Sequence, residues 1–96
     1  MHEKQRRLEA GETFTTSEGG NSMAPKIHSR QKHVLAPIKL EDVVKGDIVF
    51  CKVGGKYYTH LVRAIGPRGA HIYNNKGREN GWTKQVFGKV IEVLPR

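Results

Sequence analysis

The chain has 96 residues, a formal net charge of +8 at pH 7 and 36% hydrophobic residues. That length serves one small domain and no second core. Dispersed Val, Ile and Leu mark it as folded, no apolar run approaches the roughly 20 residues of a membrane span, and residues 1–12 hold no signal-peptide core. The lone Cys51 excludes an internal disulfide framework and a cysteine zinc cluster and suits a reducing compartment. The expectation is therefore a soluble, cytoplasmic, basic domain.

Residues 2–9 are good helix formers with little apolar face, which predicts a short, frayed N-terminal helix within an arm over residues 1–12. The β-domain is expected over residues 13–96. Its first extended run is Glu12 to Ser17, closed by Gly19-Gly20. Residues 21–32 are polar and interrupted by Pro25. Val34-Leu35-Ala36 is a short strand stopped by Pro37, and Leu40 to Val44 fits one turn. Ile48 to Val53 is the best strand, Gly54-Gly55 its hairpin turn, and Tyr57 to Ile65 its return strand. Gly66-Pro67-Arg68-Gly69 makes another turn before a short extended run, Ala70 to Tyr73. Asn74 to Gly81 reads as a polar loop. Val86 to Leu94 supplies the final strand, with Gly88 as a bulge or bend. The sum is a mostly-β fold of about six short strands joined by glycine-bearing turns.

Ser22 lies in Gly20-Asn21-Ser22-Met23-Ala24-Pro25, a glycine-led turn able to present a hydroxyl and backbone N–H groups outward. A serine nucleophile needs that and a base. His60, between Thr59 and Leu61 in a predicted strand, is an unusual place for a polar side chain. From residues alone the alternatives are a plain turn residue for Ser22 and a half-buried strand histidine for His60. His28, Arg30 and His33 lack metal-ligand spacing, and neither a metal nor a cofactor is expected. Cys51 inside the best strand reads as a small buried hydrophobe. Trp82 either lines a cleft or covers the core edge.

The stretch Gly20-Asn21-Ser22-Met23-Ala24-Pro25-Lys26-Ile27 resembles the Gly-[Asp/Asn]-Ser-Met-x-Pro-x-[Ile/Leu] box of the LexA/signal-peptidase superfamily of serine peptidases. Lys45-Gly46-Asp47-Ile48-Val49 resembles that family's Gly-Asp-Ile-Val strand opening. His60 then falls where the family's general base belongs, Asn74-Asn75 resembles an asparagine pair of the histidine-using branch, and Gly88-Lys89-Val90 resembles the terminal strand. The resemblance covers residues 13–93 and implies a LexA/signal-peptidase-like coiled β-sheet domain. It also implies peptide-bond hydrolysis with Ser22 as nucleophile and His60 as base, closest to the Ser–His variant. Glu79, four residues past Asn75, is the candidate to orient His60. Its alternative is a solvated loop charge pairing with Arg78 or Lys76. The implied substrate is an extended peptide or protein, added as a β-strand beside the nucleophile.

The family's membrane anchor and DNA-reading domain have no counterpart here, so a stand-alone catalytic domain with no membrane role is expected, of a kind that suits phage or mobile elements. Pairing through the last strand would make a homodimer. The competing expectation is a catalytically silent module whose basic surface binds nucleic acid or an acidic protein. That reading places Lys26, Arg30 and Lys32 on one face with Arg63, Arg68 or Arg78.

Overall fold

The computed structural model describes residues 2–96. It holds one short helix and seven strands in a single antiparallel sheet. The helix is α1 (Glu3–Glu9), and the strands are β1 (Phe14–Thr16), β2 (His33–Pro37), β3 (Ile48–Val53), β4 (Lys56–Gly66), β5 (Gly69–Tyr73), β6 (Glu79–Thr83) and β7 (Val86–Val93). Their order across the sheet is β1-β2-β7-β3-β4-β5-β6. The expected single turn after β2 is a 3-10 turn at Leu40–Asp42. Among the described residues no helix is long and apolar enough to cross a membrane.

The central hairpin follows from local chemistry. On β3, Val49, Cys51 and Val53 alternate with Phe50, so a two-residue period buries both faces. Gly54 and Gly55 both take positive φ, 55° and 84°, which a tight two-residue hairpin turn requires. Pairing from Val53↔Lys56 to Ile48↔Leu61 then sets His60 opposite Val49.

β4 runs 11 residues because it serves two neighbours. From Lys56 to Leu61 it pairs with β3, and from Leu61 to Gly66 with β5. Over residues 56–60 its second edge therefore has no strand partner among the described residues. His60 stands where the pairing changes over.

The sheet divides the apolar residues into two clusters instead of one core. Val49, Cys51, Val62, Ile72 and their neighbours form the larger. Leu8, Phe14, Leu35 and Phe50 form the smaller, on the face that carries α1. The helix is not a frayed arm. Leu8 is 2% exposed and lies so close to Gly88 that a Cβ there would meet its methyls at 2.7 and 2.8 Å. One apolar residue, the His2 side-chain cap to the Lys4 N–H, and Tyr57 Oη donating to Gln5 Oε1 together dock the helix.

One further expectation is corrected by pairing. The loop expected over 74–81 ends at Arg78, and Glu79–Thr83 form β6 along β5, with His71 opposite Trp82 and Ile72 opposite Gly81. β7, the final strand, lies inside the sheet. It sits between β2 and β3, bulged at Phe87 because Phe50 pairs with Gly88 and Cys51 with Val86. Only beyond Lys89 does its β3-side edge lack a partner among the described residues, and Ile91 is exposed there. The Gly46-Asp47 and Gly88-Lys89 segments meet in an ion pair, Lys89 Nζ to buried Asp47 Oδ1 at 3.1 Å. Asp47 Oδ2 also accepts the Val44 N–H.

Candidate functional site

Ser22 lies on the irregular segment between β1 and β2, a polar and glycine-bearing stretch held by its own few apolar residues. Met23 and Ile27 are buried beneath it, and the Ile27 N–H donates to the Met23 carbonyl. Asn75 fastens the turn from outside. Its backbone N–H donates to the Ser22 carbonyl at 2.8 Å, and its side-chain Nδ2 donates to the Ala24 carbonyl at 3.0 Å. Asn74 shapes its own loop by accepting the Lys76 and Arg78 N–H groups. The two asparagines thus divide the work, one holding the loop and one holding the serine.

The structure brings Ser22 and His60 together. Ser22 Oγ is 3.0 Å from His60 Nε2. On its other side, His60 Nδ1 is 2.7 Å from Asn80 Oδ1. An amide oxygen only accepts, so Nδ1 carries the proton and Nε2 presents its lone pair to the serine hydroxyl. This is the tautomer a general base needs. Burial holds the His60 pKa below the usual 6.5, outweighing the Asn80 hydrogen bond and the field of Glu18, which favour the charged form. The imidazole is therefore neutral at pH 7. Tyr58, two residues back on the same face of β4, stacks on its ring at 4.9 Å between centroids.

Glu79 does not reach His60. It precedes Asn80 on β6, and alternation along the strand turns it the other way, where it pairs with His71 Nε2. Neither Arg78 nor Lys76 is its partner. The place expected for a carboxylate is held by the neutral amide of Asn80, which the sequence offered only as one asparagine in a polar run. Trp82 is likewise away from the cleft, stacked on His71 at 4.3 Å with the Arg68 guanidinium 4.8 Å from its ring centre. Cys51 is fully buried, and its thiol pKa is pushed up to about 12, so it is inert at neutral pH.

A cleft of about 210 Å³ opens beside the pair, between the segment at Glu18–Gly20 and the unpaired edge of β4. Among the described residues the Ser22 N–H has no acceptor and is available to a developing oxyanion. Also among them, no three His, Cys, Asp or Glu side chains converge as metal ligands would. No family model and no curated protein matches the chain.

Proposed function

We propose that the chain is a serine peptidase-type hydrolase of the LexA/signal-peptidase kind, acting on extended peptide. The observation that carries this reading is the aligned series Ser22 Oγ, His60 Nε2, His60 Nδ1, Asn80 Oδ1, with spacings of 3.0 and 2.7 Å across the ring. In the first step Ser22 Oγ bonds to the peptide carbonyl carbon while its proton passes to His60 Nε2. The carbonyl oxygen becomes an oxyanion, stabilised by the Ser22 N–H. Collapse breaks the C–N bond, and the imidazolium returns the proton to the leaving amine. Water then attacks the acyl-serine, with His60 taking the water's proton and giving it to Ser22 Oγ.

Binding on this reading uses backbone. The free edge of β4 over residues 56–60 offers N–H and C=O groups to an extended peptide, with Glu18–Gly20 on the far side of the cleft. The family resemblance gains support from the way its separated motifs meet. The serine box lies against His60, Asn75 clamps that box, and Asp47 pairs with Lys89.

Labelling with a fluorophosphonate probe tests the proposal. Wild type is expected to label, Ser22→Ala not at all, and His60→Ala about 10²-fold more slowly, the lower end of a general base's contribution. Equal labelling of all three would remove the catalytic reading.

A second reading uses the surface instead. Arg68 lies over Trp82, Trp82 stacks on His71, and Arg63 lies 4.7 Å from the Tyr73 ring centre, a set of cations and rings along β4 to β6 that suits single-stranded nucleic acid. It predicts oligonucleotide binding that falls steeply with salt and is lost in Arg63→Ala and Arg68→Ala.

A further inference from the structure

We propose that α1 is the spacer of the Ser22 cleft: Lys4 holds one wall, Gln5 holds the other, and together they fix the gap into which an extended chain is laid. That the occupant is a substrate rests on the hydrolase reading; the spacer rests on contacts that involve neither Ser22 nor His60.

A helix of seven residues is too short to persist alone in water, so α1 is helical because it is docked. Leu8 is the apolar anchor, buried against Gly88 of β7. Lys4 lies four residues before Leu8 and Gln5 three, so both stand one turn back along the docked side. Being neighbours in sequence, they are about 100° apart around the axis, which sends their side chains in different directions across the sheet. One turn of helix thus reaches two separate elements.

Lys4 reaches the wall made by the segment between β1 and β2. Its side chain is 17% exposed, and its Nζ lies 5.6 Å from the Phe50 ring centre and 3.6 Å from Glu18 Oε2. The other Glu18 oxygen faces His33, which burial keeps neutral at pH 7, so Lys4 is the one charged partner of Glu18 among the described residues. The backbone bonds nearby fasten the segment only to itself: the Arg30 N–H donates to the Glu18 carbonyl and the Gly20 N–H to Ser29 Oγ. Further along, Asn75 and the buried Met23 and Ile27 hold it. Past the end of β1 at Thr16, the charged tie between the Glu18–Gly20 wall and the rest of the molecule is therefore Lys4.

Gln5 reaches the opposite wall. Tyr57 stands on β4 at its unpaired edge and lines the cleft. Its Oη donates to Gln5 Oε1, while its ring stacks on Phe50 at 5.6 Å and meets the His2 ring at 4.8 Å. His2 is also the residue that caps α1, so the N-terminal end of the helix holds Tyr57 at two points. Glu18 and Tyr57 thus face one cleft of about 210 Å³ and are fastened to consecutive residues of one helix. Moving either wall away from the other must break a tie or undock Leu8.

The test follows the wall and the chemistry separately, in the full-length chain. Lys4→Met with Gln5→Met keeps side-chain length and helix propensity but removes both ties. Amide exchange over residues 17–31, read by mass spectrometry, is expected to speed up on the order of fivefold in this double variant, with β5 and β6 unchanged. Ser22 is then labelled with two probes: an alkyl fluorophosphonate, which needs only the Ser22–His60 pair, and an acetyl-trialanyl diphenyl phosphonate, which also lays a backbone along β4. The double variant is expected to slow the peptidyl probe about fivefold and to leave the alkyl rate close to wild type. Lys4→Arg, which keeps the charge, and Arg6→Met, on the exposed side of the helix, are expected to match wild type in both readouts. Where β5 and β6 also exchange faster, the single variants Lys4→Met and Gln5→Met decide by the same criteria. Unchanged exchange over 17–31 overturns the spacer, and so does equal slowing of the two probes, which would place the effect of the helix on the Ser22–His60 pair. Faster exchange over 17–31 with no labelling of wild type by either probe removes the hydrolase alone. Labelling intact with exchange unmoved removes the spacer alone.

Discussion

The Asn80 amide decides which nitrogen of His60 is basic. Its oxygen takes the Nδ1 proton, so the lone pair at Nε2 faces Ser22. A carboxylate would do the same and add charge, and the difference is measurable. With Asn80 the base keeps a pKa below 6.5, because burial opposes the imidazolium more than the amide and Glu18 favour it. The rate of Ser22 acylation by the probe is therefore expected to rise with pH to a midpoint below 6.5 and to be flat through neutrality. A midpoint above 6.5 would contradict the desolvated base. Asn80→Asp keeps the tautomer but places an anion beside Nδ1, so the midpoint is expected to move upward. Asn80→Ala frees the ring to turn and is expected to slow acylation about 10²-fold at pH 7.5. A purely structural role for Asn80 predicts slower acylation in both variants with the midpoint unmoved, and that result would remove it from the site.

At the scale of elements, β5 and β6 show how a close approach dictates a residue. Gly69 has φ +99°, and a Cβ there would come 2.2 Å from the Thr83 carbonyl oxygen on β6. Gly77 has a similar φ of +87° but open space around it. Gly69→Ala is therefore expected to cost about 3 kcal/mol or more, and Gly77→Ala about 1 kcal/mol, in denaturant unfolding. Equal costs would show that the β5–β6 approach is looser than described. This pair of strands also marks where local reading stops. The β3–β4 hairpin was legible because alternation and Gly54-Gly55 are neighbours in sequence, and its register then placed His60. Ser22 was legible through the residues that follow it. β6 was not, since Glu79-Asn80-Gly81 has the composition of a loop and becomes a strand only by pairing with β5. With β6 unseen, nothing showed that alternation would send Asn80 to His60 and Glu79 to His71. The docking of α1 was hidden for a related reason, because Leu8 alone carries its apolar contact.

For the molecule as a whole, the two buried histidines tie stability to the same pH range as the chemistry. His33 and His60 both have pKa values lowered by burial from 6.5. By pH 7.5 both are largely neutral whether the chain is folded or not, and they contribute little pH dependence. As pH falls through 6.5 the unfolded chain takes up two protons that the folded chain resists, so the unfolded state gains. Stability is thus expected to be level near pH 7.5 and to decline as pH falls through about 6.5, before the carboxylates begin to titrate. The midpoint in urea at pH 5.5 should lie below that at pH 7.5. The general +8 charge also grows on acidification, and added salt separates the two effects. In ~0.5 M sodium chloride the surface repulsion is largely screened, whereas the desolvation of two buried rings is not. The decline is expected to persist in salt and to shrink in His33→Asn, which keeps a polar group but cannot ionise. A midpoint that is unchanged at pH 5.5, or one restored fully by salt, would mean that burial of these rings does not govern the acid limb.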